Sequence, residues 1–122
     1  MTHPQTAALQ ALLERVEAGD MHPGEWDGVF AYPGLAIMAY EGSLDAAKAL
    51  HEAVADKWTA VEISSRGRRT IWVVEIERLI PIIADDDGTE RHTGWAETPA
   101  RAWLIAILRA LIAQPTAHEG GV

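Results

Sequence analysis

Cysteine is missing from the 122-residue chain, which removes disulfide bridges, cysteine-ligated zinc and thiol nucleophiles from the chemistry open to it. Long apolar stretches are missing too: no run reaches the roughly 18 residues that a membrane-spanning helix needs. Met1 to Gln10 lack the basic-then-apolar pattern of a secretory signal. These absences predict a soluble, cytoplasmic protein with no membrane partner. Positive charge is scarce, with 10 basic against 18 acidic residues and a net charge of −8. Through Ser64 there are 3 basic and 10 acidic residues, a balance of −7, and the remainder carries −1. A field of that sign repels phosphate backbones and favours a basic partner surface.

Recognisable catalytic motifs are also lacking. No nucleophile elbow surrounds Ser43, Ser64 or Ser65. The segment His51 to Asp56, "HEAVAD", starts like a zinc-protease helix but lacks the second histidine four residues on. A partly buried, hydrogen-bonded His51 is therefore expected rather than a ligand. Asp85 to Glu90, "DDDGTE", has clustered carboxylates but not the length or closing carboxylate of a calcium loop, so it reads as a solvated turn. The sequence predicts a non-enzyme with no metal and no cofactor.

What is present is enough for one domain over residues 1–122, large enough to bury a core without staples. Leu9, Leu12, Leu13 and Val16 recur at helical spacing and predict a helix over about 5–18, ended by Gly19. Residues 19 to 42 are punctuated by glycine and proline, with a short apolar piece, Gly34 to Tyr40, read as an edge strand. A second helix is predicted over about 43–56, capped by Ser43. Val61 and Ile63 alternate with Glu62 and Ser64, and Trp72, Val74 and Ile76 with Glu75 and Glu77, which predicts a β-hairpin over 58–80 with Ser65 to Arg69, the part that holds a glycine, as its turn. Pro81 cannot donate to a ladder and so marks an edge, a bulge or the strand's end, and "RHTGWAE" is expected as a third strand. Thr98 and Pro99 open a last helix over about 98–114, leaving 115–122 as a frayed tail. The expected fold is α+β: three helices packed with a small antiparallel sheet of about three strands, sandwich-like.

Three surfaces are candidates for function. On the last helix, Trp103, Ile107 and Leu111, widened by Leu104 and Leu108, form the face expected to pack on the sheet. Ile105 and Ile112 lie on the other side, flanked by Arg101 and Arg109. That makes them either a face covered by the N-terminal helix or the 19–42 segment, or an interaction surface for a homodimer or protein partner. The helix start at Gly42, Ser43 and Leu44 offers backbone N–H groups either to a local cap or to an anion such as a nucleotide, with Trp26, Tyr32 or Tyr40 available to stack on a ring. Arg66, Arg68 and Arg69 form the one basic cluster, and the order helix, three strands, helix is similar to that of double-stranded RNA binding domains. Those domains also need basic residues at the start of the second helix, where this chain offers only Arg101, so the sequence argues against nucleic acid.

Tyr40 to Leu50 ("YEGSLDAAKAL"), the tryptophan that follows at Trp58, and Glu97 to Ala110 ("ETPARAWLIAILRA") resemble the phage ABA sandwich domain family over roughly Leu9 to Ile112. The resemblance implies an α/β sandwich, a phage or prophage protein in the cytoplasm of a bacterial host, and no assigned activity or catalytic residues. Together these readings predict a non-catalytic accessory protein that works by binding another protein, such as a host factor. A small anionic-ligand binder and a nucleic-acid-binding module are the alternatives.

Overall fold

The computed structural model describes residues 4–21, 26, 32–67, 71–79 and 89–113. Among the described residues four helices and three strands follow in the order α1 (Pro4–Ala18), α2 (Pro33–Tyr40), α3 (Leu44–Val54), β1 (Ala60–Arg66), β2 (Ile71–Leu79), β3 (Thr89–Ala96) and α4 (Pro99–Ala113). The fold is α+β, with one antiparallel sheet of order β1-β2-β3. Pro81, the turn at Asp85 to Gly88, Arg68, Arg69 and the 115–122 tail lie outside the described residues.

Local chemistry sets most element ends. Gly19 takes the left-handed φ of 73° that closes α1, its N–H bonding the carbonyl of Val16 and that of Asp20 the carbonyl of Arg15, a glycine C-cap. The Ser43 hydroxyl accepts the Ala46 N–H at 3.1 Å and opens α3. Thr98 does the same for Arg101 at 3.2 Å at the start of α4. Each supplies one of the hydrogen bonds that a first helical turn cannot make internally.

The hairpin turn is shorter than expected, because Ser65 and Arg66 still pair with Trp72 and Ile71, and one element is of another type. Residues 33–40 form a helix, not an edge strand. The segment is apolar on all sides and so carries no period, but Pro33 occupies the first turn, where its missing N–H costs nothing and its fixed φ favours the helix. The sandwich therefore holds a fourth helix.

The helix α4 is the centre of the molecule. It packs on β2 and β3 and also on α1, α2 and α3, so it is buried nearly all round, from Ala100 through Ala110. The face it turns to the sheet is not the one built of Trp103, Ile107 and Leu111. The contact is made by small residues: at Gly94 of β3 an added Cβ would stand 1.9 Å from the Ala102 carbonyl oxygen and 2.7 Å from the Ala106 nitrogen. Backbone rests on backbone there, and the larger side chains of α4 fill the space toward the other helices.

Register divides the sheet into two faces. Ser65, Trp72 and Ala96, then Ile63, Val74 and Gly94, then Val61, Ile76 and His92 stand in rows on the helix side. Val74 and Ile76 are fully buried there. Because α4 lies over β2 and β3, the helix side of β1 is only partly covered: Val61 is 37% and Ile63 40% exposed. The opposite face carries Glu62, Ser64 and Arg66 of β1, Ile71, Val73, Glu75, Glu77 and Leu79 of β2, and Thr89, Arg91, Thr93 and Trp95 of β3.

Candidate functional site

The histidine at the helix border, His51, is buried and spoken for on both nitrogens. The Trp103 indole can only donate, so its Nε1–H, 3.0 Å from His51 Nδ1, makes that nitrogen the acceptor. Nε2 then carries the proton and donates to the Trp58 carbonyl at 2.6 Å. Binding a metal would break one of these bonds. Among the described residues no group of three or more histidines or carboxylates is placed to hold a metal ion. A groove of about 500 Å³ runs beside His51 between α3 and β1, rimmed by Lys48, Glu52, Asp56 and Thr59 with Val61 at one side. The polar atoms of His51 and Trp103 that border it already serve one another.

Below that groove, Trp58 anchors an ion cluster at one end of the sheet. It is 1% exposed, with His92 edge-on at 5.2 Å and the Arg78 guanidinium 5.1 Å above its ring. Arg78 donates twice to Glu90 Oε1, and His92 Nε2 donates to Oε2 at 2.9 Å. Burial pushes the Glu90 carboxyl up, but the hydrogen bonds from His92 and Arg78 and the charge of Arg78 outweigh it, leaving Glu90 below the ordinary value of 4.5. A carboxylate lowered on folding stabilises the protein above its unfolded value, and that contribution is lost as pH falls through the folded one. Glu90→Gln should therefore destabilise the protein at pH 7 and much less at pH 3, read by urea unfolding at each. An equal penalty at both would rule the linkage out.

The residues singled out on the last helix are used internally. Ile105 is 1% exposed, and Ile112 is partly buried against the core. Arg101 donates to the Tyr40 carbonyl at 3.1 Å and lies 4.1 Å over the Tyr40 ring. Arg109 donates to the Thr93 carbonyl at 2.8 Å and pairs with Glu17 of α1. Of the two readings of this face, the covered one describes Ile105: the packing of α1 and α2 on α4 buries it and covers Ile112 in part, and both arginines act as ties between elements.

The helix start at Gly42 to Leu44 is a cap. The Gly42 N–H bonds the Ala39 carbonyl and the Ser43 N–H the Met38 carbonyl, so two of the three donors offered to an anion end α2 instead. Two of the three aromatic residues expected to stack on a ring serve elsewhere: Trp26 is fully buried and Tyr40 lies under Arg101, while Tyr32 is exposed. Of the basic cluster, Arg66 is exposed at the end of β1; Arg68 and Arg69 lie outside the described residues.

The surface that does bring functional chemistry together is the solvent face of the sheet, which sequence reasoning did not single out. Glu62 stands directly opposite Glu75 across β1 and β2, and Glu77 opposite Arg91 across β2 and β3. Arg91 hydrogen-bonds Glu77, and its guanidinium is pushed above its ordinary value by that bond and by the charges of Glu77, Glu75 and Glu62. Of the three carboxylates, Glu77 is the one that Arg91 pairs with directly. Beside them Val73 is buried in register between Ser64 and Trp95, while Trp95 is 52% exposed and Ile71 and Leu79 are exposed as well. The alternation of strand residues was the available signal. Gly94 toward the helices puts Trp95 toward solvent.

Comparison of the chain with protein-family models, curated proteins and solved structures finds no match.

Proposed function

We propose that the protein is a non-catalytic binding protein whose partner is a protein with a basic surface, docked on the solvent face of the sheet. The observation that carries this reading is the facing pair Glu62 and Glu75, joined by Glu77, around Arg91. Like charges directly opposite on neighbouring strands destabilise a sheet by roughly 0.2–1 kcal/mol, a cost that a partner's lysine or arginine side chains would reverse. Trp95 supplies the large, half-exposed aromatic that anchors interfaces. The same carboxylates repel nucleic acid, and the anion reading at Gly42 to Leu44 loses two of its three donors, those of Gly42 and Ser43, to the end of α2. The resemblance of residues 40–50 and 97–110 to phage ABA sandwich proteins supports a phage-encoded accessory role in a bacterial host's cytoplasm, with a host factor as partner.

Two variants test the reading because a structural role and a binding role predict different results. Glu75→Gln should raise stability by a few tenths of a kcal/mol and weaken capture of a basic protein from host lysate. Trp95→Ala should abolish that capture with little change in melting temperature. Capture that survives 0.5 M salt and both substitutions would refute the proposal, because screened rim charges cannot hold a partner at that ionic strength.

A further inference from the structure

The two edges of the sheet are finished differently. Along β3, α4 lies against the strand and Arg109 occupies the Thr93 carbonyl. Among the described residues the strand β1 pairs with β2 alone, and its register with β2 runs unbroken from Ala60 to Arg66, so no bulge bends it away. It contains no proline and no lysine, and its helix-side positions are Val61, Ile63 and Ser65, none of them charged. Natural edge strands are normally protected by one of these devices.

We infer that β1 is a self-pairing edge: two copies of this chain join β1 to β1, antiparallel, about a two-fold axis at Ile63. Ile63 is the midpoint of the strand, so this register pairs all of it. Antiparallel partners point to the same side of a sheet. Ile63 therefore meets Ile63 of the second copy on the helix side, Val61 meets Ser65, and the two half-exposed aliphatic side chains left uncovered by α4 become buried. Charge selects the same arrangement. Glu62 stands toward the start of β1 and Arg66 at its end, so antiparallel pairing sets each Glu62 diagonally beside the other copy's Arg66, within reach of long side chains. In-register parallel pairing would set like charge against like. An isologous contact of this kind closes on itself and does not propagate into fibres.

The joined sheet turns both acidic faces to the same side. The inference goes beyond the proposed binding role, since purified protein alone suffices to test it.

Sedimentation equilibrium should give twice the chain's mass at high concentration, with half-dissociation on the order of 10 µM. Ile63→Lys, which places two cations on the axis, should weaken association at least tenfold while leaving the far-ultraviolet circular dichroism unchanged. Glu62→Arg should weaken it as well, and adding Arg66→Glu should restore it, a rescue that keeps the test decisive even if Ile63→Lys misfolds. A wild-type protein that stays monomeric at about 1 mM, or a dimer indifferent to Glu62→Arg, overturns the inference.

Discussion

Replacing Gly94 by alanine should cost the fold about 3 kcal/mol or more, at or beyond the upper end of what overpacking usually costs. The new methyl carbon would be placed 1.9 Å from the Ala102 oxygen, 2.7 Å from the Ala106 nitrogen and 3.0 Å from the Ala102 carbonyl carbon. All three are backbone atoms, so no rotamer change relieves the clash. Relief requires lifting α4 from β3, and α4 is also the support of α1, α2 and α3. Gly34 is the control. An added Cβ meets nothing within 4 Å there, and alanine in place of a helical glycine is neutral to favourable. Urea unfolding of both variants checks the argument. A Gly94→Ala protein within about 1 kcal/mol of wild type would mean that helix and strand do not approach this closely.

Trp58→Ala is the second large effect, expected at about 3–5 kcal/mol, the usual range for removing a buried large aromatic. The indole is almost wholly enclosed and holds two different interactions in place, the edge contact to His92 and the cation above it from Arg78. Its loss also loosens the floor on which Arg78 and His92 grip Glu90. The Trp58 carbonyl that accepts from His51 remains, so the damage should fall on the sheet end of the cluster. Thermal unfolding should show a fall of roughly 10–25 °C, and Trp58→Phe a much smaller one. A loss below about 1.5 kcal/mol for alanine would show that the site collapses around the gap.

Much of this architecture is legible in the amino-acid sequence wherever a single residue has one physical job. Ser43 and Thr98 cap because a hydroxyl ahead of an apolar period can satisfy a first-turn N–H. Gly19 ends α1 because a left-handed residue closes the turn. The strands show because Glu62, Glu75 and Glu77 alternate with aliphatics. The helix α2 is not legible in that way, since "GLAIMAY" is apolar at every position and short enough for either period; Pro33 is the signal that decides it. The sheet-facing side of α4 was hidden by size. Counting large side chains points to Trp103 and Ile107, whereas close approach selects Ala102 and Ala106, and the glycine inside β3 is what betrays it. The candidate site on the sheet was half visible. Alternation exposes the glutamates, but that Glu62 faces Glu75, and that β1 escapes the cover of α4, are matters of register and helix placement, which no local pattern encodes.

Arg109 joins parts of the chain that are far apart in sequence. Its ion-pair partner Glu17 is 92 residues away, whereas β1 and β2 meet across the four residues 67–70. Loop-closure entropy grows as about (3/2)RT ln n, so docking α1 on α4 costs an otherwise open chain roughly 2.5 kcal/mol more than closing the hairpin. The stretch from Ala60 to Ala113 pairs neighbour with neighbour, β1 on β2, β2 on β3 and α4 on β3, which is the low-contact-order route that chains follow quickly. Assembly should then run against the direction of numbering, the C-terminal meander and its helix first and α1 last with the Arg109–Glu17 pair closing behind it, and pulse-labelled hydrogen exchange should find amides of α1 protected after those of β2 and β3.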